Sequence, residues 1–183
     1  DIAAMRDLAA AVTADTAGGP ESLLDAPDAH RIAWRDWSLP DPDEVVEEDA
    51  CFVTHGVLDA VAGVLSPRIA LPGGGSAMIE PTRALVAVDV NTGADTSLAA
   101  GLKANIALAR ALPRLLRIKG LGGQIVLDLA PMPKKDRRAW ETTLRRAVKD
   151  DGSDIVFAGW TPLGNYELQR KRDRFALAAH WPR

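Results

Sequence analysis

Cysteine occurs once in these 183 residues, as Cys51, which excludes an internal disulfide framework and any multi-cysteine zinc site within this chain. A lone thiol within a helical pattern is expected to be a small buried hydrophobe. Aromatic residues make up only 5% of the chain. The five tryptophans, Trp34, Trp37, Trp140, Trp160 and Trp181, show no spacing suited to a base-stacking platform, so packing is their expected role. No apolar run approaches the roughly 20 residues that cross a bilayer as a helix, and no secretory signal pattern follows Asp1. Positive charge is not in excess either: 22 Lys and Arg face 25 Asp and Glu, for a net charge of −3. That excludes a global basic signature for nucleic acid, so any polyanion would have to be bound by local basic patches and metal. No internal repeat is visible. A chain that begins at Asp1 rather than Met is expected to be part of a longer one, and the single cysteine fits a reducing cytoplasm, away from membranes.

Hydrophobic content of 47% and charged content of 26% are ordinary for a globular protein with one sizeable core. Two short runs stand out, Ala84-Leu85-Val86-Ala87-Val88-Asp89-Val90-Asn91 and Gln124-Ile125-Val126-Leu127-Asp128-Leu129. Each is almost wholly apolar before its aspartate, as strands buried on both faces are. An ionised carboxylate ending such a strand is costly unless paired, and a divalent cation is a natural partner. Asn91 lies two residues beyond Asp89, so on a continuing strand it faces the same side. Asp89, Asn91 and Asp128 are therefore the candidate catalytic residues, two carboxylates and an amide that could converge on one hard metal ion. The competing reading is that strand-end aspartates cap the turns that follow.

Around these runs the pattern predicts a helix over 2–12, closed by Gly18-Gly19-Pro20, and a strand at Arg31-Ile32-Ala33-Trp34. Asp43 is placed to cap an acidic helix, and residues 51–65 carry apolar positions at helical spacing. His55, within that helix, is read as structural or solvent-exposed. Arg68-Ile69-Ala70-Leu71, Pro72-Gly73-Gly74-Gly75 and Ser76-Ala77-Met78-Ile79 read as a hairpin with a glycine turn. Asp95-Thr96-Ser97 would cap a long helix that Pro113 should kink or break. Further on, the pattern predicts a helix over 134–149, a strand over 154–160 and a helix over 166–174. Strand, helix, strand order implies an α/β fold, a mixed β-sheet with flanking helices.

From about Leu71 to Arg172 the chain resembles the catalytic core of the ribonuclease E/G family. The resemblance rests on Leu71-Pro72-Gly73-Gly74-Gly75-Ser76, the run from Ala84 to Asn91 with Thr92-Gly93, and Lys103-Ala104-Asn105. It continues in Leu121-Gly122-Gly123-Gln124-Ile125-Val126-Leu127-Asp128 and in Thr161-Pro162-Leu163-Gly164 with Glu167 and Arg170-Lys171-Arg172. It implies a deoxyribonuclease-I-like catalytic core over 71–183, preceded over 1–70 by a degenerate ribonuclease-H-like segment. It also implies a Mg²⁺-dependent endoribonuclease acting on single-stranded RNA and leaving 5′-phosphate and 3′-hydroxyl ends. In that reading Asp89 and Asp128 hold the metal and Asn91 assists. Nothing here corresponds to the family's S1-type RNA-binding domain or to its cysteine-pair zinc link, and homo-oligomerisation is left open. Where family members often carry a second acid after the strand aspartate, this chain has Ala130-Pro131.

Phosphate contacts are expected from Lys103 and Asn105, which open the long helix, and from Arg170 and Arg172 in the matched motif. A second basic cluster comprises Lys134, Lys135, Arg137, Arg138, Arg145 and Arg146, and its plain reading is a solvated helix face with ion pairs such as Glu141 with Arg145. The leading alternative belongs to another class, an inactive or regulatory homologue that binds RNA or a protein partner without cutting; a third reading is a metal-dependent phosphodiesterase on another substrate.

Overall fold

The computed structural model describes residues 2–14 and 26–181. The glycine-proline cluster at 18–20, expected to end the first helix, lies outside these residues. The chain forms two units, Asp1–Cys51 and Phe52–Arg183. In the first, helix α1 (Ile2–Ala14) runs where its composition predicts. The expected strand at 31–34 is instead part of helix α2 (Ala29–Trp37), whose N-cap Asp28 accepts a 2.7 Å hydrogen bond from the Arg31 backbone N–H. Four apolar-leaning residues are too few to show a period, and the cap three positions upstream decides the conformation. The acidic stretch after Asp43 is irregular rather than helical. Six carboxylates between Asp41 and Asp49 repel one another and leave no apolar stripe to pack.

Between positions 51 and 65 there are two helices rather than one, α3 (Cys51–Thr54) and α4 (Val57–Leu65). Gly56 separates them at φ +67°, a left-handed conformation that suits glycine and breaks the helical ladder. Cys51 is partly exposed rather than buried, and His55 is exposed.

The second unit is built on a six-stranded mixed sheet. Its strands are β1 (Arg68–Ala70), β2 (Ser76–Pro81), β3 (Leu85–Asn91), β4 (Gly123–Asp128), β5 (Ile155–Trp160) and β6 (Tyr166–Arg170), in spatial order β1-β2-β3-β4-β6-β5. Only β3 and β4 pair in parallel, joined through the 22-residue helix α5 (Leu98–Lys119); the remaining neighbours are antiparallel. Ser97 caps α5 by accepting from the Ala100 N–H, as the sequence predicts. Pro113 does not end the helix. A proline inside a helix costs roughly 3 kcal/mol, but its ring is buried among the core residues of α5, and that packing outweighs the lost hydrogen bond.

Helices α5 and α6 (Arg137–Asp151, entered through a 3₁₀ turn at Lys134–Asp136) supply one side of the core. The other side is Val86, Val88 and Val90 of β3, Ile125 and Leu127 of β4, and Tyr166 and Leu168 of β6. Alternation then turns Asp89, Asn91, Gln124, Asp128 and Gln169 to the opposite, exposed face of the sheet. The segment from Tyr166 was expected to be helical because Glu, Leu, Gln and Arg favour helices. Pairing on both edges, with β4 and β5, overrides that propensity and selects the period-two burial of Tyr166, Leu168 and Arg170.

Two polar contacts tie the helices down. The buried Lys119 ammonium donates to the carbonyls of Val64 and Ser66 at the C-terminal end of α4, and burial pushes its pKa down. Arg117 clasps Asp151 through Nε and Nη2 at 3.0–3.3 Å. Burial pushes the Asp151 carboxyl up, but the Arg117 guanidinium, the Ser153 hydroxyl and the charge of Arg170 together hold it below its ordinary 3.8. A depressed carboxyl stabilises the fold above its unfolded pKa and loses that contribution as pH falls through the folded value. Asp151→Asn is therefore expected to lower Tm at neutral pH. The gap to the parent chain should close as pH falls below 3.8, read by calorimetry across a pH series. Among the described residues no helix is long and apolar enough to cross a membrane.

Candidate metal centre at the strand ends

Asp89 and Asp128 are paired residues of the parallel β3–β4 ladder, each in the closing positions of its strand. Opposite residues in a ladder share a face, and neighbouring strands lie about 4.8 Å apart. Both carboxylates thus stand side by side on the exposed face, and both are exposed. Asn91, two residues on, shares that face, and its Nδ2 donates to Asp89 Oδ2 at 2.6 Å. Among the described residues neither carboxylate is paired with a lysine or arginine. Like charges set directly opposite one another destabilise a sheet, and a shared hard cation relieves that repulsion. The donor set, two carboxylates and an amide oxygen, suits Mg²⁺, which keeps several waters and is commonly held by one or two carboxylates. Among the described residues there is no group of three or more His, Cys, Asp or Glu placed for a metal.

The glycine turn after β1 braces the end of β3. A Cβ built on Gly75 would lie 2.9 Å from the Asn91 carbonyl oxygen, and one on Gly93 would lie 2.7 Å from that of Gly74. Beside this contact opens a cleft of about 220 Å³ lined by Gly73, Gly75, Thr92, Asp95, Ala100 and Lys103. Asp95 Oδ1 accepts from the Ser97 N–H at 2.9 Å, and that bond holds its carboxyl below the usual value. Lys103 is exposed, and its Nζ lies 3.2 Å from where a Cβ on Gly73 would be. It is thus the expected phosphate-binding residue that the fold leaves available at this end of the sheet.

Asn105 and Arg170 are not available in that way. Asn105 is 0% exposed, with both side-chain atoms bonded to the backbone of Ala130. Arg170 is 5% exposed; its Nη1 donates to Leu121 O at 3.0 Å and approaches Asp173 at 3.5 Å. Arg172 is exposed, with Nε 3.4 Å from Gly122 O. Arg170 pairs with Gly123 at the start of β4, five residues before Asp128. At about 3.3 Å per residue, Arg170 and Arg172 sit on the order of 16 Å from the carboxylates along the strand. These two arginines and the carboxylates are therefore not brought together.

The basic cluster around α6 is largely a solvated face: Lys134, Lys135, Arg138, Arg145 and Arg146 are exposed, and Arg146 pairs with Asp150 one turn on at 3.7 Å. Arg137 lies 4.0 Å over the Trp160 ring and Arg145 4.2 Å over Phe157. Glu141, expected to pair with Arg145, instead accepts from Trp160 Nε1 at 2.6 Å. Trp140, Trp160 and Tyr166 form an edge-packed cluster, so the expected packing role of the tryptophans holds for Trp140 and Trp160, while Trp34 is half-exposed. Sequence reasoning passed over Gly101. A glycine inside a helical pattern signals close backbone approach, and a Cβ there would lie 2.0 Å from Pro131 O, just beyond Asp128.

Comparison with known proteins finds relatives named ribonuclease E, ribonuclease G or ribonuclease E/G-like. The chain is 34% identical over 130 residues to a chloroplastic ribonuclease E/G-like protein of Arabidopsis thaliana, covering 67% of this chain and 13% of that protein. It is 33% identical over 131 residues to ribonuclease G of Salmonella typhimurium, covering 67% and 26% respectively. Against ribonuclease E of Escherichia coli it is 33% identical over 127 residues, covering 66% and 12%. The chain thus spans between 12% and 26% of the length of these curated relatives. The profile of the Ribonuclease E/G family matches residues 36–173, which include β3, β4 and the residues that brace them, and the chain belongs to that family.

Proposed function

We propose that this chain carries the metal-binding and RNA-cleaving centre of an endoribonuclease that uses Mg²⁺ to hydrolyse single-stranded RNA and leaves 5′-phosphate ends. The observation that carries the reading is the in-register pairing of Asp89 with Asp128 on the exposed face, with Asn91 bonded to Asp89. Asp89 and Asp128 would hold the ion through carboxylate oxygens. When bound, Mg²⁺ polarises the scissile phosphate and lowers the pKa of an attacking water. Asn91 fixes the rotamer of Asp89 by donating to Oδ2, which leaves Oδ1 for the ion. Lys103 offers a point charge to a substrate phosphate across the glycine turn. RNA as substrate is supported by membership of the ribonuclease E/G family.

End-labelled single-stranded RNA incubated with the purified chain, with Mg²⁺ or with EDTA, tests this. Cleavage is expected with Mg²⁺ and not with EDTA, and the downstream products should be ligatable, as 5′-phosphate ends are. RNA that is bound but left intact in Mg²⁺ would mark the chain as a binding homologue, and cleavage that persists in EDTA would exclude the metal.

A further inference from the structure

After Asp128 the chain leaves β4 as Leu129-Ala130-Pro131, and here the sheet gives out. The β3–β4 ladder ends at the Asp89–Asp128 pair and the β4–β6 ladder at Leu127–Tyr166. The buried Ala130 peptide would therefore lose its hydrogen bonds, at a cost of roughly 1–3 kcal/mol for each unpaired group. Asn105 takes the place of the missing strand. Its Nδ2 donates to Ala130 O at 2.8 Å, and its Oδ1 accepts from Ala130 N at 3.1 Å. A primary amide is well matched to this task because it presents one donor and one acceptor in the spacing of a peptide.

Asn105 is itself held from behind. Its backbone carbonyl accepts from Trp140 Nε1 of α6 at 3.0 Å. Gly101 sits one turn earlier on the same face of α5. There α5 lies so close to the exit strand that a Cβ would stand 2.0 Å from Pro131 O. Two consecutive peptides just past Asp128 are thus fixed by two helical positions four residues apart, and no other polar side chain among the described residues is bonded to Ala130.

We propose that Asn105 and Gly101 are positioning residues that set the direction in which Asp128 presents its carboxylate to the cation. This inference rests on the reading that Asp89 and Asp128 hold Mg²⁺, and it assigns Asn105 an action through Asp128 rather than through RNA. Outer-shell partners of metal ligands commonly change metal affinity by about 10–100-fold when removed. A residue that served the core alone would lower stability without moving the affinity of the site.

Mn²⁺, titrated into the metal-free 183-residue chain by calorimetry at low temperature, separates the two. Asn105→Ala is expected to weaken Mn²⁺ binding by about tenfold, and Gly101→Ala, which pushes Pro131 aside while leaving the amide in place, should weaken it in the same direction. Leu116→Ala serves as the control, since Leu116 is fully buried and eleven residues further along α5, about 16 Å from Asn105. It should lower Tm at least as much, yet leave Mn²⁺ affinity within about twofold. Where Asn105→Ala does not fold, Asn105→Ser and Gly101→Ala carry the test, each checked by far-ultraviolet circular dichroism. Wild-type affinity in the folded Asn105 and Gly101 variants, or an equal loss in Leu116→Ala, overturns the positioning role alone. Failure of Mn²⁺ to bind the wild-type chain overturns the metal reading and the positioning role with it.

Discussion

Asp128→Asn is expected to lower Mg²⁺-dependent RNA cleavage by about a thousandfold or more, and Asp89→Asn by a similar factor. Metal coordination supplies several kcal/mol of transition-state stabilisation, and each 1.36 kcal/mol is tenfold in rate. The substitution is nearly isosteric, so the strands should keep their register. The two carboxylates face each other directly across β3 and β4, and opposite like charges cost a few tenths to about 1 kcal/mol in a sheet. Removing one should therefore leave the metal-free Tm unchanged or slightly higher, while the Tm rise that Mg²⁺ produces in the parent chain disappears. Initial cleavage rates and melting curves with and without Mg²⁺ read both effects. Either variant cutting at the parent rate would remove these aspartates from the reaction. A Tm that collapses in the variants would instead give them a structural task.

Trp140→Ala should produce the largest loss of stability of any single change described above, about 3–5 kcal/mol. Trp140 is fully buried between α6 and the sheet. Its ring meets Tyr166 edge-on at 4.8 Å and Trp160 at 5.6 Å, and its Nε1 donates to the Asn105 carbonyl at 3.0 Å. Truncation forfeits the buried area, the aromatic edges and that hydrogen bond at once. For a domain of this size the loss corresponds to a fall in Tm on the order of 10–20 °C. Trp140→Phe keeps most of the packing and gives up the N–H, so about 1–2 kcal/mol is expected. Urea unfolding of both variants measures the difference. A loss below about 1 kcal/mol in Trp140→Ala would mean that the cluster is not part of the cooperative core.

Where several local signals agree, the sequence was a sufficient guide. The glycine turn between β1 and β2, the apolar run of β3, the Ser97 cap of α5 and the prolines before α6 each reinforce their neighbours, and each element formed where expected. Errors fell where a single weak signal stood alone. Residues 31–34 offered four positions and no period, and the Asp28 cap made them helical. The run from Tyr166 to Arg170 carried helix formers, and two neighbouring strands made it β6. Residues 51–65 kept their helical spacing but not their continuity, because Gly56 took a left-handed conformation.

The candidate site divides along the same line. That Asp89 and Asp128 each end an apolar strand is a property of sequence, since it follows from local hydrophobicity and from the cost of burying a carboxylate. So is the placement of Asn91 on the face of Asp89, because the period of a strand is two. That Asp89 lies opposite Asp128 is a matter of register between segments 39 positions apart, and only the packed sheet with its α5 crossover decides it. The fates of Asn105 and Arg170 were likewise settled by tertiary structure. In sequence each is a polar residue near a matched motif. In the fold each is drawn inward by backbone carbonyls that would otherwise lack partners, at Ala130 and at Leu121. A polar side chain goes to solvent or substrate only when no buried backbone group claims it first, and sequence does not reveal which peptides the end of a sheet will leave unpaired.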